Sequence, residues 1–130
     1  MTAFRKEMIA ANTYDELEQV VRRAVGLSGL MEFVRFEIGA VNRKVRGIET
    51  PRSLRFLVGN PLIMQQMVVQ VPDAASYAPV TVLIDERADG VHLSYDRMTG
   101  FLAPYGNVTA LRVAQELDAK IERLLADSSA

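Results

Sequence analysis

The spacing of apolar and polar positions changes several times along the chain, and each change marks an element. Thr2 to Ala10 reads as a strand, with Phe4 and Met8 on one face and Arg5 and Glu7 on the other. Thr13 then opens a helix. Glu16 follows it at capping-box spacing, so each residue can satisfy the other's orphan backbone N–H. Leu17, Val20, Val21, Ala24 and Val25 form one helical stripe, and Gly26 and Gly29 offer the left-handed conformations that stop it. Leu30 to Ile38 alternates again, with Val34, Phe36 and Ile38 opposite Arg35 and Glu37. Gly39 to Ser53 contains Gly47 and Pro51 and reads as a basic loop.

Leu54 to Val58 is a short strand that runs into Asn60-Pro61. Asn is a favoured N-cap, and Pro fits the first helical position because its missing N–H had no partner there. Ile63, Met64, Met67, Val68 and Val71 supply the buried stripe of that helix, and Pro72 ends it. Pro79 to Arg87 and Val91 to Asp96 form a hairpin around Asp89-Gly90. One face holds Val80, Val82, Ile84, Val91, Leu93 and Tyr95. The other holds Thr81, Leu83, Asp85, Arg87, His92, Ser94 and Asp96. A shift to an Ala88-Asp89 loop changes the cross-strand partners but keeps these faces, because the loop length stays even. Arg97 to Gly106 reads as a loop. Asn107 caps a last helix with the stripe Ala110, Val113, Ala114, Leu117, Ile121 and Leu124, and Asp127 to Ala130 reads as a frayed tail.

The predicted fold class is α+β: an antiparallel sheet with helices packed on one face, in the order β-α-β-β-α-β-β-α. The chain of 130 residues is read as a single domain, 1–130. It has no cysteine, which removes disulfides, thiolate metal sites and thiol nucleophiles together. No apolar run suggests a membrane span or a secretory signal, so no membrane role is expected and the cytoplasm is the expected location.

Net charge is −1, but the charge is unevenly spread. Arg43, Lys44, Arg46, Arg52 and Arg55 face only Glu49 in one segment, whereas Asp73, Asp85, Glu86, Asp89 and Asp96 face only Arg87 in another. These segments can complement each other within the fold or across a dimer. The basic run lacks the interleaved aromatics of a single-strand platform, and the overall balance argues against a nucleic-acid partner.

From Leu54 onward the chain resembles the bacterial and archaeal family called domain of unknown function 302. The matching residues are Phe56-Leu57-Val58 leading into Gly59-Asn60-Pro61, then an apolar helix and Pro79 opening a valine-rich strand. Asp89-Gly90-Val91 with Ser94-Tyr95-Asp96 completes the pattern. The resemblance implies a β-α-β4-α layout like that of TATA-binding-protein-like domains, and a homodimer; it implies no activity. Many members carry cysteines near the Asn-Pro pair and after the next strand's Pro. Here those neighbourhoods read Gly59-Asn60-Pro61 and Pro79-Val80-Thr81, so a thiol role does not transfer.

Several residues invite a functional reading. Gly59 and Asn60 stand at a helix N-terminus, where an anion can bind or where the motif serves geometry alone. Asp85, His92 and Ser94 share a strand face, but a flat sheet offers no oxyanion hole and Ser94 lacks a nucleophile's sharp turn. One histidine and no cysteine argue against a transition-metal site. Tyr77, Tyr95, Phe101, Tyr105, Met64, Met67 and Met98 either line a pocket or form core.

The ligand-binding candidates are therefore Gly59, Asn60, His92, Tyr95 and Asp96, with no catalytic residue, no metal and no cofactor assigned. The expected function is a homodimeric binding or interaction module for a small ligand or protein. The alternative is an enzyme on a small anionic substrate, with Asn60 holding the anion and Asp96 or His92 moving a proton.

Overall fold

The computed structural model describes residues 5–47 and 50–130. Among them are the strands β1 (Arg5–Ala10), β2 (Met31–Phe36), β3 (Ser53–Gly59), β4 (Val80–Arg87) and β5 (Gly90–Asp96). The helices are α1 (Tyr14–Leu27), α2 (Ile38–Arg46), α3 (Pro61–Gln70), α4 (Met98–Leu102) and α5 (Val108–Ser129), with 3-10 turns at Pro72–Ser76 and Ala103–Tyr105. The strands form one antiparallel sheet in the order β1-β5-β4-β3-β2. With α2, α3 and α4 set aside, the chain order is β-α-β4-α. The predicted α+β class stands.

The alternation along the strands decides which face is covered. Leu54, Phe56 and Val58 of β3, Val80, Val82 and Ile84 of β4, and Leu93 and Tyr95 of β5 share one side of the sheet, and all are buried. Against them lie Leu17, Val21 and Val25 of α1, Met67 of α3, and the stripe of α5 from Ala110 to Leu125. Full burial of each large aliphatic side chain contributes about 1.5–3 kcal/mol, so this layer carries the fold. The caps form as the sequence predicts. Glu16 N–H donates to Thr13 Oγ1 at 3.3 Å and Thr13 N–H to Glu16 Oε1 at 3.1 Å. Asn107 Oδ1 accepts from Ala110 N–H at 2.9 Å.

Local details depart from the sequence reading for identifiable reasons. The supposed basic loop holds α2, and β2 ends at Phe36, so Ile38 starts a helix instead of finishing a strand. Two glycines of that segment serve the ends of α2. A methyl group on Gly39 would stand 2.8 Å from the backbone nitrogen of Ser53, and Gly47 takes a left-handed φ of 69° just past the helix. Similarly, Gly29 (φ 84°) follows the end of α1, while Gly26 lies inside that helix.

The segment Arg97 to Gly106 is not a plain loop, because it contains α4 and a 3-10 turn. Nor does the chain fray after Asp127. α5 continues to Ser129, whose carbonyl accepts from Ala11 N–H at 3.2 Å. The hairpin turns at Ala88-Asp89, with Arg87 opposite Gly90, so Asp85 faces His92 and Leu83 faces Ser94. The two faces of the hairpin are unchanged by that register. Thr2 and Phe4 of the first predicted strand, and Glu49 of the basic segment, lie outside the described residues.

Candidate functional site

At the start of α3, Asn60 Oδ1 accepts from Leu62 N–H at 2.8 Å and Ile63 N–H at 3.2 Å, while its Nδ2 donates to Gly29 O at 2.9 Å. The side chain thus takes the position from which an anion would meet those N–H groups. Gly59 serves close packing: a methyl there would stand 3.2 Å from Pro79 Cβ and 3.5 Å from both Met64 and Phe33. This motif joins β3 to α3 and pins α3 to the loop before β2.

Tyr95 points into the covered layer, buried, and donates to the backbone carbonyl of Asp118 at 3.2 Å. Burial holds its hydroxyl well above the usual range. Asp96 and His92 lie on the opposite, open face. Asp85 pairs with both Ser53 and His92, which puts His92 near the first residue of β3. Asn60 lies past the other end of β3, roughly 20 Å away along the strand. Asp96 is taken up by Arg5, whose guanidinium donates to it at 2.7 Å. The candidates Gly59, Asn60, His92, Tyr95 and Asp96 therefore occupy three separate places and do not converge on one small molecule.

His92 anchors a network that the sequence reading only half saw. Its Nδ1 stands 3.1 Å from Glu7 Oε2 on β1, and its Nε2 2.6 Å from Asp89 Oδ1 in the hairpin turn. With a carboxylate at each ring nitrogen, both must donate, which is the imidazolium form. The hydrogen bond to Asp89 raises the His92 pKa above its ordinary 6.5, with Glu7 adding to the effect. The same hydrogen bonds hold the Glu7 and Asp89 carboxyls below their usual range.

Arg87 extends the network, donating to Glu7 at 3.1 Å and to Asp85 at 2.7 Å. Ser94 is fully buried, and its hydroxyl accepts from Arg5 at 2.6 Å. Asp85, His92 and Ser94 are thus each held by other partners and form no triad. Glu7 could have been found from the sequence, because it lies on the polar face of the first strand. Its pairing with β5 could not.

The same open face carries apolar side chains. Ile9 is 53 % exposed, Met31 45 %, Val34 42 % and Phe36 45 %, and the half-buried Leu57 and Leu83 lie between them. Beyond β2, α2 borders this face. A groove of about 520 Å³ there is walled by Phe36, Ile38, Ala40 and Val41 and rimmed by Lys44 and Arg55. The Arg55 guanidinium sits 5.4 Å from the centre of the Phe36 ring, an attractive cation–π geometry. Arg35, on the other side of β2, is tied to Glu18, Glu32 and Glu37.

Under the helices, Asp118 is the buried carboxylate. It accepts from Met98 N–H at 2.8 Å, Thr99 N–H at 3.1 Å and the Thr99 hydroxyl at 2.8 Å, capping α4 from across the core. Burial pushes its pKa up, and these three donors hold it back. A signal was present in the sequence: Asp118 sits one turn from Ala114 and from Ile121 on the apolar stripe, where a carboxylate needs partners. Of the aromatic and methionine set, Tyr95, Met67 and Met98 are core, and Met64 packs against it. Tyr77 stacks on Phe101 at 4.8 Å and shares a 3.0 Å hydroxyl contact with Tyr105.

A family model described as domain of unknown function DUF302 matches residues 7–128. The chain belongs to that family. The fold agrees with a solved DUF302 structure, titled as the crystal structure of an uncharacterized conserved protein from Bacillus stearothermophilus. The two superpose with a TM-score of 0.87 at 10 % identity, over 99 % of this chain and 100 % of that one. At that identity the likeness speaks for the fold alone. No curated protein matches. Among the described residues, no helix of this DUF302 chain is long and apolar enough to cross a membrane.

Proposed function

We propose that this DUF302 domain is a non-enzymatic homodimeric interaction module, and that its open sheet face receives a second copy of the chain. The observation that carries the reading is the composition of that face. Apolar side chains run across its middle and β2 side, with cations at one margin and a carboxylate-rich network at the other. Monomeric proteins seldom leave a continuous apolar sheet face in water. Two sheets packed face to face bury such residues at a spacing of about 10 Å.

Charge supplies the orientation. A two-fold axis lying between the faces and along β4 sets the β2–α2 margin of one copy over the β1–β5 side of the other. Lys44 and Arg55 then meet the carboxylates of Glu7, Asp85, Asp89 and Asp96, an isologous and self-complementary contact. The groove beside α2 becomes a crevice between subunits. The alternative acid–base enzyme gains no support from the placement of Asn60 far from His92, or from the ion pairs that occupy His92 and Asp96.

Sedimentation equilibrium tests the proposal. The wild-type chain is expected at twice its monomer mass, while Leu57→Asp, which places a charge mid-face, is expected at the monomer mass with an unchanged circular-dichroism spectrum. A wild-type monomer at high concentration, or a dimer indifferent to Leu57→Asp, would end the reading.

A further inference from the structure

On the helical side, away from the sheet, the C-terminal halves of α1 and α5 leave a groove of about 490 Å³ between them. That volume falls within the range of small-molecule sites. Ala24 and Ser28 on one shoulder and Ala119 on the other are too small to fill it, and Leu124 lies buried at its base. Leu27 stands at the wall 84 % exposed, an apolar side chain that folding leaves in water. Ser28 adds no free polar group, because its hydroxyl donates to Val25 O at 2.8 Å and accepts from Leu30 N–H at 3.1 Å.

The rim carries a net positive charge. Lys120 and Arg123 line the groove together with one carboxylate, Asp127. Arg5, Arg35, Arg52, Arg87 and Arg97 each have a carboxylate partner within ion-pair distance, whereas Lys120 and Arg123 have none among the described residues. The walls supplied by Ala24, Leu27, Ala119 and Leu124 are apolar and suit a hydrocarbon chain. We infer that this groove binds a linear apolar monoanion of the medium-chain carboxylate class. Its chain lies along Leu27, Ala24, Ala119 and Leu124, and its carboxylate meets Lys120 and Arg123. The site is independent of the sheet face and of the dimer reading.

Calorimetric titration of the full chain with decanoate below its micellar concentration tests it, with decanol as the uncharged control. Saturable binding is expected for decanoate and markedly weaker binding for decanol. The double substitution K120E/R123E is expected to weaken decanoate roughly tenfold, since each reversal removes a surface attraction and adds a repulsion. Ala119→Leu, which fills the trough with a good helix former, is expected to abolish binding and leave the melting temperature in place. Three results would overturn the inference: no saturable decanoate binding, equal affinity for decanol, or decanoate binding untouched by both variants. Binding confined to phosphatidylglycerol vesicles would overturn it as well, by assigning the cations to a membrane surface.

Discussion

On the covered face of the sheet, the positions from Leu54 through Tyr95 are apolar, and the carboxylate that reaches them, Asp118, is met by two backbone N–H groups and a hydroxyl. On the open face the proportions reverse. Glu7, Asp85, Arg87, Asp89 and His92 satisfy one another in a chain of hydrogen bonds, while Val34, Phe36, Met31 and Ile9 stand in water. A satisfied polar group costs little wherever it lies, but an exposed apolar side chain leaves stabilisation unused. The first face is finished within one chain. The second keeps large apolar side chains in water.

Paired substitutions across β4 give the largest contrast. Ile84→Ala on the covered face is expected to destabilise by about 2–5 kcal/mol through its cavity. Leu83→Ala on the open face, measured by urea unfolding in dilute protein, is expected to cost less than about 1 kcal/mol. Equal losses would erase the distinction between the faces. Asp118→Ala comes next, at about 2–3 kcal/mol, because it leaves the buried N–H of Met98 and the half-buried N–H of Thr99 without their acceptor. Asp118→Asn, which keeps one acceptor, is expected to fall between that variant and the wild type.

A smaller effect comes from pH. The His92 pKa is raised, so its stabilising contribution is complete below about 6.5 and is lost as pH rises through the folded value. Glu7 and Asp89 are lowered from 4.5 and 3.8, so theirs is present above those values and is lost as pH falls through the folded ones. Asp118, raised by burial, works against that loss at low pH. Thermal melts should therefore show a stability plateau between about pH 5 and 6.5, with an alkaline decline that His92→Gln flattens. A decline unchanged in His92→Gln would assign it to other groups. Smallest is Arg55→Glu, expected to weaken self-association several-fold without altering monomer stability, an effect that shrinks in high salt.

Elements with local signals were legible in the sequence. Thr13 and Glu16 announce α1, Asn60-Pro61 announces α3, and the alternation of β4 and β5 sorts their faces correctly even with the turn misplaced by one residue. What failed were features that depend on distant contacts. Gly39 reads as the start of a loop until Ser53 is seen against it, and α4 has no cap of its own because Asp118 supplies one from another helix. The placement of the candidate residues depends on distant contacts in the same way. The chemistry of Asn60, Tyr95 and His92 singles them out in the sequence, but which residues meet is decided by sheet order, and β1 beside β5 is what brings Glu7 to His92.

The absence of cysteine from the chain makes the central claim directly measurable. A spin label on Thr81→Cys, in the middle strand of the open face, and one on Gln115→Cys, on the exposed side of α5, would be compared by double electron–electron resonance. With sheets face to face at about 10 Å, the Thr81 labels of two copies should lie within roughly 25 Å, and the Gln115 labels much farther apart. No intermolecular coupling from the Thr81 label, or a shorter distance from Gln115 than from Thr81, would contradict a second copy on the open face.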